Sequence, residues 1–235
     1  MDIQQLIDFD QQLLLQLNGS DSLFGDGFMW IATSTSTWIP LAITLLYVIF
    51  KNRKIKESLL IIVSLALVII IADQISSGFC KPFFARFRPT QDPELMYMID
   101  IVNNYRGGRY GFISSHAANT FAVAIFLTLI IRDKMLGLVL FIWAALNAYS
   151  RIYLGVHYPG DILFGTLVGI CVGCLVYLLY NHIHKFFFNQ PRYISNKYTS
   201  TGYLMSDIHL LHTIMLLTIF SIIILGMAYT HVHYF

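Results

Sequence analysis

Long apolar runs constrain this chain more than any other feature of its sequence. A membrane-spanning helix needs about 20 mostly apolar residues. We find six candidate segments, at residues 30–50, 58–79, 117–131, 135–153, 160–180 and 208–229. The third and fourth are short, so we expect their helices to extend into the polar flanks. With 57% hydrophobic and 12% charged residues, the sequence predicts an all-α, polytopic membrane helical bundle of about six transmembrane helices, forming a single integral membrane domain over residues 1–235.

The basic residues are distributed unevenly among the connectors between these segments. Three alternate connectors carry nine of the fifteen, namely Lys51, Arg53, Lys54, Lys56, Arg132, Lys134, Lys185, Arg192 and Lys197. The positive-inside rule makes that side cytoplasmic. The other six then lie on the outer side, where a bound anion would explain them: Lys81, Arg86, Arg88, Arg106, Arg109 and Arg151. The net charge of +2 gives no indication of a nucleic-acid partner.

The first residues form a separate amphipathic pattern. Residues 2–17 place apolar side chains on one helical face, opposite glutamines and aspartates. This pattern predicts an interfacial amphipathic helix, and a helix packed against the other spans is an equal alternative. Residues 80–114 are predicted to form an outer loop, and Asp73, about two turns before Lys81, is a possible partner for an outer cation.

The fifth apolar segment carries small residues with a regular spacing. Gly165, Gly169 and Gly173 recur every four residues, which predicts close packing against another helix. Cys171 and Cys174 lie in the same segment but are too few to form a metal site without further ligands. We therefore expect no metal.

Three polar stretches at the outer ends of the spans carry the candidate chemistry. They are K-P-F-F-A-R-F-R-P at 81–89, I-S-S-H at 113–116 and S-R-I-Y-L-G-V-H-Y-P-G-D at 150–161. Lys81, Arg88 and Arg151 are cations beside a low-dielectric layer, where an unpaired charge is costly, so we expect an anion to complete the site. Ser114 and Ser115 come just before an apolar helix, whose free amides favour an anion. This set predicts a site for phosphate.

Two histidines border this predicted site. Asp161 follows His157 by four residues, and a carboxylate that holds one ring N–H leaves the other nitrogen free to attack phosphorus. His116 is suited to protonate the leaving oxygen and later to activate water. The cations can neutralise the charge that magnesium neutralises elsewhere, so the predicted reaction requires no metal and no cofactor.

The three stretches resemble the signature motifs of the type 2 phosphatidic acid phosphatase family. The first and third match K-x6-R-P and S-R-x5-H-x3-D in full. The second usually reads P-S-G-H, and here Ile113 replaces the proline and Ser115 the glycine. The Ser115 side chain is therefore expected to crowd the phosphate, lowering the rate or shifting the substrate size.

The resemblance also assigns roles and a fold. It implies that Lys81, Arg88, Ser114 and Arg151 bind phosphate, that His116 is the general acid, His157 the nucleophile and Asp161 the orienting carboxylate. It implies a metal-independent lipid phosphatase, with a bundle core similar to that of vanadium haloperoxidases. Its partners would be the lipid phosphate substrate and membrane lipids. We expect it in the bacterial inner membrane with the site facing the periplasm or exterior.

The substrate and the second half-reaction remain open at this stage. Bacterial relatives of this size act on undecaprenyl diphosphate, phosphatidylglycerol phosphate or lipid A, and the compact polyprenyl diphosphate is weakly favoured. A lipid phosphotransferase that uses the same phosphohistidine is an alternative. A non-catalytic protein that binds lipid phosphates is another, although the two histidines and the carboxylate argue against it. The sequence does not indicate an oligomeric state.

Overall fold

The computed structural model describes residues 2–188 and 196–233. Its helices are α1 (Ile3–Leu17), α2 (Leu23–Thr33), α3 (Ile39–Asn52), α4 (Ile55–Phe84), α5 (Ser115–Ile131), α6 (Lys134–Tyr153), α7 (Pro159–Phe187) and α8 (Met205–His233). Between these described residues there are isolated β-bridges but no β-sheet. The prediction of an all-α membrane bundle is confirmed.

Four helices, α4, α6, α7 and α8, are long and apolar enough to cross a membrane. The pair α2 and α3 passes the same test when the two are taken together, which gives up to five candidate spans among the described residues. Helix α5 is apolar but has only 17 residues. The chain is an integral membrane protein, and the predicted count of six spans is not confirmed.

The prediction of one continuous helix over residues 30–50 is wrong. Helices α2 and α3 meet at an angle of 66°, because the polar Ser34–Thr37 segment interrupts the apolar run. Ser34 ends α2, and a single 3-10 turn, Thr35–Trp38, leads into α3. The Thr37 hydroxyl donates to the Ile31 carbonyl at 2.7 Å and so satisfies a backbone group that the break exposes.

The outer loop begins later than residue 80, because α4 continues to Phe84. Residues Gln74–Cys80 of this helix are π-helical. This wider turn precedes Pro82, whose ring clashes with a carbonyl of the preceding turn in a regular α-helix. Ala85 then ends the helix in the left-handed conformation, with φ of 46°. Lys81 therefore lies on the last turn of a long helix, and the loop covers residues 85–114.

Helix α5 packs closely against α7 at the centre of the bundle. The Cβ positions at Gly165, Gly169 and Gly173 face the backbone carbonyls of Ser114, Ala118 and Ala122, respectively. Any side chain at these three glycines would collide with the backbone of α5. The structure thus confirms the predicted small-residue stripe, and α5 and α7 approach each other through their backbones.

The ends of the helices remote from the three motifs are joined by polar contacts. Lys51 forms an ion pair of 2.7 Å with Asp207, which links α3 to α8. The Thr201 hydroxyl donates to the Ile131 carbonyl at 2.7 Å and so links the end of α5 to the segment before α8. The basic connectors of the sequence analysis therefore lie together at one end of the bundle. Arg192 lies outside the described residues.

Helix α1 packs on the bundle with its second half only, and an interfacial location of its first half stays a prediction. Its first half exposes an apolar face, with Ile3 74% and Leu6 51% exposed. Its second half packs on the bundle, where Leu14 is fully buried. The side chain of Asn18, the residue that follows, donates to the Tyr153 carbonyl at 2.8 Å. The last turns of α1 are therefore fixed to the end of the bundle that carries the motifs.

Candidate active site

The third motif forms the end of α6, a tight turn and the start of α7. Arg151 lies in the last turn of α6. Gly155 adopts φ of +67°, a conformation that a residue with a side chain rarely adopts, and so allows the chain to reverse. Pro159 begins α7 at a position where its missing N–H costs nothing. The Tyr158 amide donates to Oδ2 of Asp161 at 3.1 Å, which caps α7 and fixes the carboxylate.

His157 and Asp161 form a buried pair. Nδ1 of His157 lies 3.3 Å from Oδ2 of Asp161, and the two side chains are 1% and 0% exposed. Nε2 of His157 lies 3.4 Å from a terminal nitrogen of Arg88. Burial, and then the positive charges of Arg88, Arg151 and Lys81, lower the pKa of His157 well below its usual value. The imidazole is therefore neutral near pH 7 and has a nitrogen lone pair available for attack.

Lys81 is held by two hydroxyl groups. Its Nζ donates to Oγ of Ser77 at 2.9 Å and to Oγ of Ser115 at 3.0 Å. Ser77 in turn donates to Oδ1 of Asp73 at 3.1 Å. Asp73 therefore does not pair directly with Lys81, because Ser77 lies between the two charged groups. Ser115, the departure from the usual motif, supplies one of the two groups that orient the lysine.

Arg88 is fixed by backbone carbonyls on both sides. Its Nε donates to the Tyr110 carbonyl at 3.1 Å, and a terminal nitrogen donates to the Val156 carbonyl at 3.3 Å. Gly107 covers the guanidinium so closely that a Cβ there would lie 2.9 Å from a terminal nitrogen. Burial and the charge of Arg151 lower the pKa of Arg88.

Arg151 completes the group of three cations. Its terminal nitrogens donate to Oγ1 of Thr33 at 2.9 Å and to the Tyr105 hydroxyl at 3.1 Å. Its Nε is buried and has no partner within the described chain. Within residues 2–188 and 196–233, no carboxylate forms an ion pair with Lys81, Arg88 or Arg151. Three neighbouring cations without a counter-ion make a site for a multiply charged anion.

The second motif places His116 beside these groups. Ser114 caps α5 by accepting from the Ala117 amide at 3.4 Å, and its own amide donates to the Asp161 carbonyl at 3.0 Å. The Ser114 side chain is fully buried, whereas Ser115 and His116 are partly exposed. Burial, and then electrostatic interaction with His157 and the three cations, lower the pKa of His116, in the first turn of α5, to about 3. The structure thus brings together all eight predicted site residues.

The structure also shows contacts that the sequence analysis missed. Arg86 lies between two carboxylates, 3.0 Å from Oδ1 of Asp161 and 2.7 Å from Oδ2 of Asp10. Its guanidinium stacks on the Tyr158 ring, 3.9 Å from the centroid. The position of Arg86 two residues before Arg88 was a usable signal, but nothing in the sequence pointed to Asp10. Arg106 and Arg109 are exposed and contact loop groups instead, so the outer cations do not form one cluster.

The histidine, cysteine and acidic side chains do not suggest a metal centre. Groups of three or more that could hold a metal ion are absent from the described part of the chain. The polar atoms that converge at the site are mainly nitrogen donors and hydroxyls. Such a donor set suits an anion rather than a cation.

The fold and the site together define a class. The chain is a helical integral membrane protein with three cations and two histidines near one another at one end of its bundle. It belongs to the PAP2 superfamily, whose sequence model matches residues 58–185, more than half of the chain. This membership confirms the resemblance that the three motifs indicated.

Individual relatives agree with this assignment. The chain is 42% identical to the lipid A 4′-phosphatase of Bacteroides thetaiotaomicron over 179 residues, which cover 75% of this chain and 79% of that protein. It is 40% identical to the lipid A 4′-phosphatase of Porphyromonas gingivalis over 178 residues, or 76% and 75% of the two chains. Its fold matches the PAP2-type phosphatidylglycerolphosphate phosphatase of Bacillus subtilis with a TM-score of 0.59 and 21% identity, covering 77% of this chain and 89% of that one.

A prediction follows from the contact between Ser115 and Lys81. We expect Ser115→Ala to raise KM about 3- to 10-fold with little change in kcat, since Ser77 still holds Lys81 and the net loss of one hydrogen bond costs about 0.5–1.5 kcal/mol. The lysine loses one of its two hydroxyl partners and samples more positions. Steady-state kinetics of phosphate release would measure this effect. An unchanged KM in Ser115→Ala would contradict the prediction and would mean that Ser77 alone orients Lys81. The control is Ser36→Ala, because Ser36 is exposed.

A second prediction concerns Gly107, which adopts φ of +65° directly over Arg88. We expect Gly107→Ala to lower kcat/KM about 10- to 100-fold, because a displacement of about 1 Å in a positioning group costs that much. The added methyl group both strains the backbone and pushes the guanidinium away. The control is Gly108→Ala, because a Cβ at Gly108 has no neighbour within 4 Å. Equal activity of the two variants would contradict the prediction.

Proposed function

We propose that this lipid phosphatase hydrolyses its substrate through a phosphohistidine intermediate on His157. The observation that carries the proposal is the group of Lys81, Arg88 and Arg151 without a carboxylate partner in the described chain, set around the neutral His157. A phosphate group between these cations would lie beside Nε2 of the histidine. Its non-bridging oxygens would accept hydrogen bonds from the guanidinium groups, including the unpartnered Nε of Arg151.

The first step is a displacement at phosphorus. Nε2 of His157 forms the new N–P bond while the bond from phosphorus to the lipid oxygen breaks. The negative charge of the bound phosphate offsets the cations that lower the pKa of His116, so His116 carries a proton in the complex. It gives this proton to that oxygen, and the lipid leaves as a neutral alcohol. Asp161 accepts the Nδ1 proton of His157 in a hydrogen bond and stabilises the positive charge that develops on the ring. The three cations stabilise the charge on the phosphoryl oxygens.

The second step returns the enzyme to its starting state. The deprotonated His116 removes a proton from water, whose oxygen attacks phosphorus and breaks the N–P bond. Inorganic phosphate leaves, His157 is neutral again and His116 again carries its proton. His116 donates a proton in the first step and accepts one in the second, so the same pair of histidines serves both steps.

We propose a lipid A phosphate monoester as the substrate. The support comes from the two lipid A 4′-phosphatases, each at least 40% identical over three quarters of this chain. This preference replaces the polyprenyl diphosphate that the sequence alone weakly favoured. We also propose that the protein lies in the inner membrane with the site facing outward, supported by the basic connectors at the opposite end of the bundle.

Phosphate release by the purified protein tests this function. The panel would contain lipid A, undecaprenyl diphosphate and phosphatidylglycerol phosphate, each with EDTA and without added metal. We expect release from lipid A, with loss of one 4′-phosphate by mass spectrometry, and no release by His157→Gln. Release from another member of the panel alone would reassign the substrate. Turnover that requires a second lipid as acceptor would instead identify a phosphotransferase.

A further inference from the structure

The N-terminal helix contributes a carboxylate to the surroundings of the catalytic pair. Oδ1 of Asp10 accepts from the Gly160 amide at 2.7 Å, and Oδ2 pairs with one terminal nitrogen of Arg86 at 2.7 Å. The other terminal nitrogen of Arg86 pairs with Oδ1 of Asp161 at 3.0 Å. Asp10 therefore contacts both the residue before Asp161 and the arginine that holds Asp161.

The two oxygens of Asp161 have separate partners. Oδ1 faces Arg86, and Oδ2 faces Nδ1 of His157 and the Tyr158 amide. A guanidinium prefers to bind both oxygens of one carboxylate in parallel. Arg86 does not do so here, because Asp10 occupies its second terminal nitrogen. The division of Arg86 between two carboxylates leaves Oδ2 of Asp161 available to the histidine.

We propose that Asp10 is a positioning residue that keeps Arg86 from competing with His157 for Asp161. The proposal rests on the proposed function, in which Asp161 orients the nucleophile. It makes α1 part of the active-site framework, although no signature motif lies on it. Asp10 acts only through Arg86 and the start of α7, and it does not touch the phosphate.

The packing of α1 on the bundle supports a specific role for Asp10. Leu14 is fully buried one turn after Asp10, and Asn18 bonds to the Tyr153 carbonyl, so this end of the helix is fixed. The side chain of Asp10 is 15% exposed, which makes its ion pair with Arg86 stronger than one in water. Asp8 lies on the same helix but is exposed, and among the described residues its side chain bonds only to Gln4, at 2.9 Å. Asp8 is therefore a matched control.

The test compares Asp10→Asn with Asp8→Asn in steady-state kinetics. An asparagine can still accept from the Gly160 amide, but it cannot pair with Arg86. We expect kcat to fall about 10- to 100-fold in Asp10→Asn, since misplacing an orienting group by about 1 Å has that effect, with KM changed less than about twofold. Asp10→Glu should recover part of the loss. Asp8→Asn should match the wild type.

A double-mutant cycle with Arg86→Gln separates positioning from a general effect on folding. If Asp10 acts by restraining Arg86, Asp10→Asn causes no further loss once Arg86 is replaced. An equal loss in both backgrounds, or an unchanged kcat in Asp10→Asn, would overturn the proposal. Activity that survives in His157→Gln would instead refute the proposed function itself. An inactive His157→Gln together with a fully active Asp10→Asn refutes only the role of Asp10.

Discussion

His157→Gln lowers the rate of phosphate release by at least about 10⁴-fold, because removal of a catalytic nucleophile leaves only the binding contribution of the site. Glutamine is close in size to histidine and can still accept from Arg88, so the cations stay in place. It has no nitrogen lone pair that can form a bond to phosphorus. We therefore expect the variant to bind inorganic phosphate as the wild type does while turnover disappears.

The control for this variant is His182→Gln. His182 lies on α7, the helix that carries Asp161, but is exposed and outside the site. The His182→Gln variant should retain full activity.

A second experiment mixes the wild type with labelled lipid and stops the reaction rapidly without acid. It should trap a phosphoryl group on the protein that is stable to base and labile to acid, as a phosphohistidine is. Comparable activity of the two glutamine variants would exclude His157 as the nucleophile.

Arg151→Gln lowers kcat/KM by about 10³-fold, the loss typical when one donor to a transition-state oxyanion is removed. Arg151 is 3% exposed and has one nitrogen without a partner in the described chain, so its charge is available to the phosphoryl group at short range. Arg151→Lys should recover only part of this loss, since an ammonium group cannot bond to two oxygens in the fixed geometry of a guanidinium. The measurement is kcat/KM for both variants.

Arg109→Gln is the matched control for the arginine. Arg109 is another cation of the loop at residues 85–114, but it is exposed and stacks on Phe87 and Tyr110. Its replacement should change kcat/KM less than about twofold, as expected for an exposed charge. If both arginine variants lost activity equally, general attraction of an anionic lipid would explain the outer cations better than a phosphate site does.

The sequence predicted the class of fold, and its motifs indicated which residues would lie near one another at the candidate site. The motifs are local, so the residues from Ser150 to Asp161 carry enough information to place His157 and its carboxylate on either side of one turn. The class of fold was also predictable, because apolar runs of this length have few stable arrangements other than membrane helices. The roles of the site residues remain predictions for the experiments above.

Two kinds of feature were not predicted. One is the position of a helix end where neighbouring residues favour different structures, and the other is a contact between residues far apart in the sequence. The run 30–50 is apolar on average, but the polar segment at Ser34 and Thr37 ends one helix within it. The apolar run at 58–79 ends before Lys81, but the π-helical segment Gln74–Cys80 allows α4 to continue to Phe84. The contact between Asp10 and Gly160 joins residues 150 positions apart. No pattern in one sequence indicates such a contact.

The close approach of α5 and α7 limits how this enzyme can change its substrate. The Ser114 amide donates to the Asp161 carbonyl, and three glycines of α7 face carbonyls of α5. The spacing between the helix that carries His116 and the helix that carries Asp161 is thus set by main-chain atoms that every residue shares. Variation in side chains can leave that spacing almost untouched. New lipid head groups would therefore be accommodated at exposed positions of residues 85–114 and of the first half of α1, away from Arg86, Arg88 and Asp10.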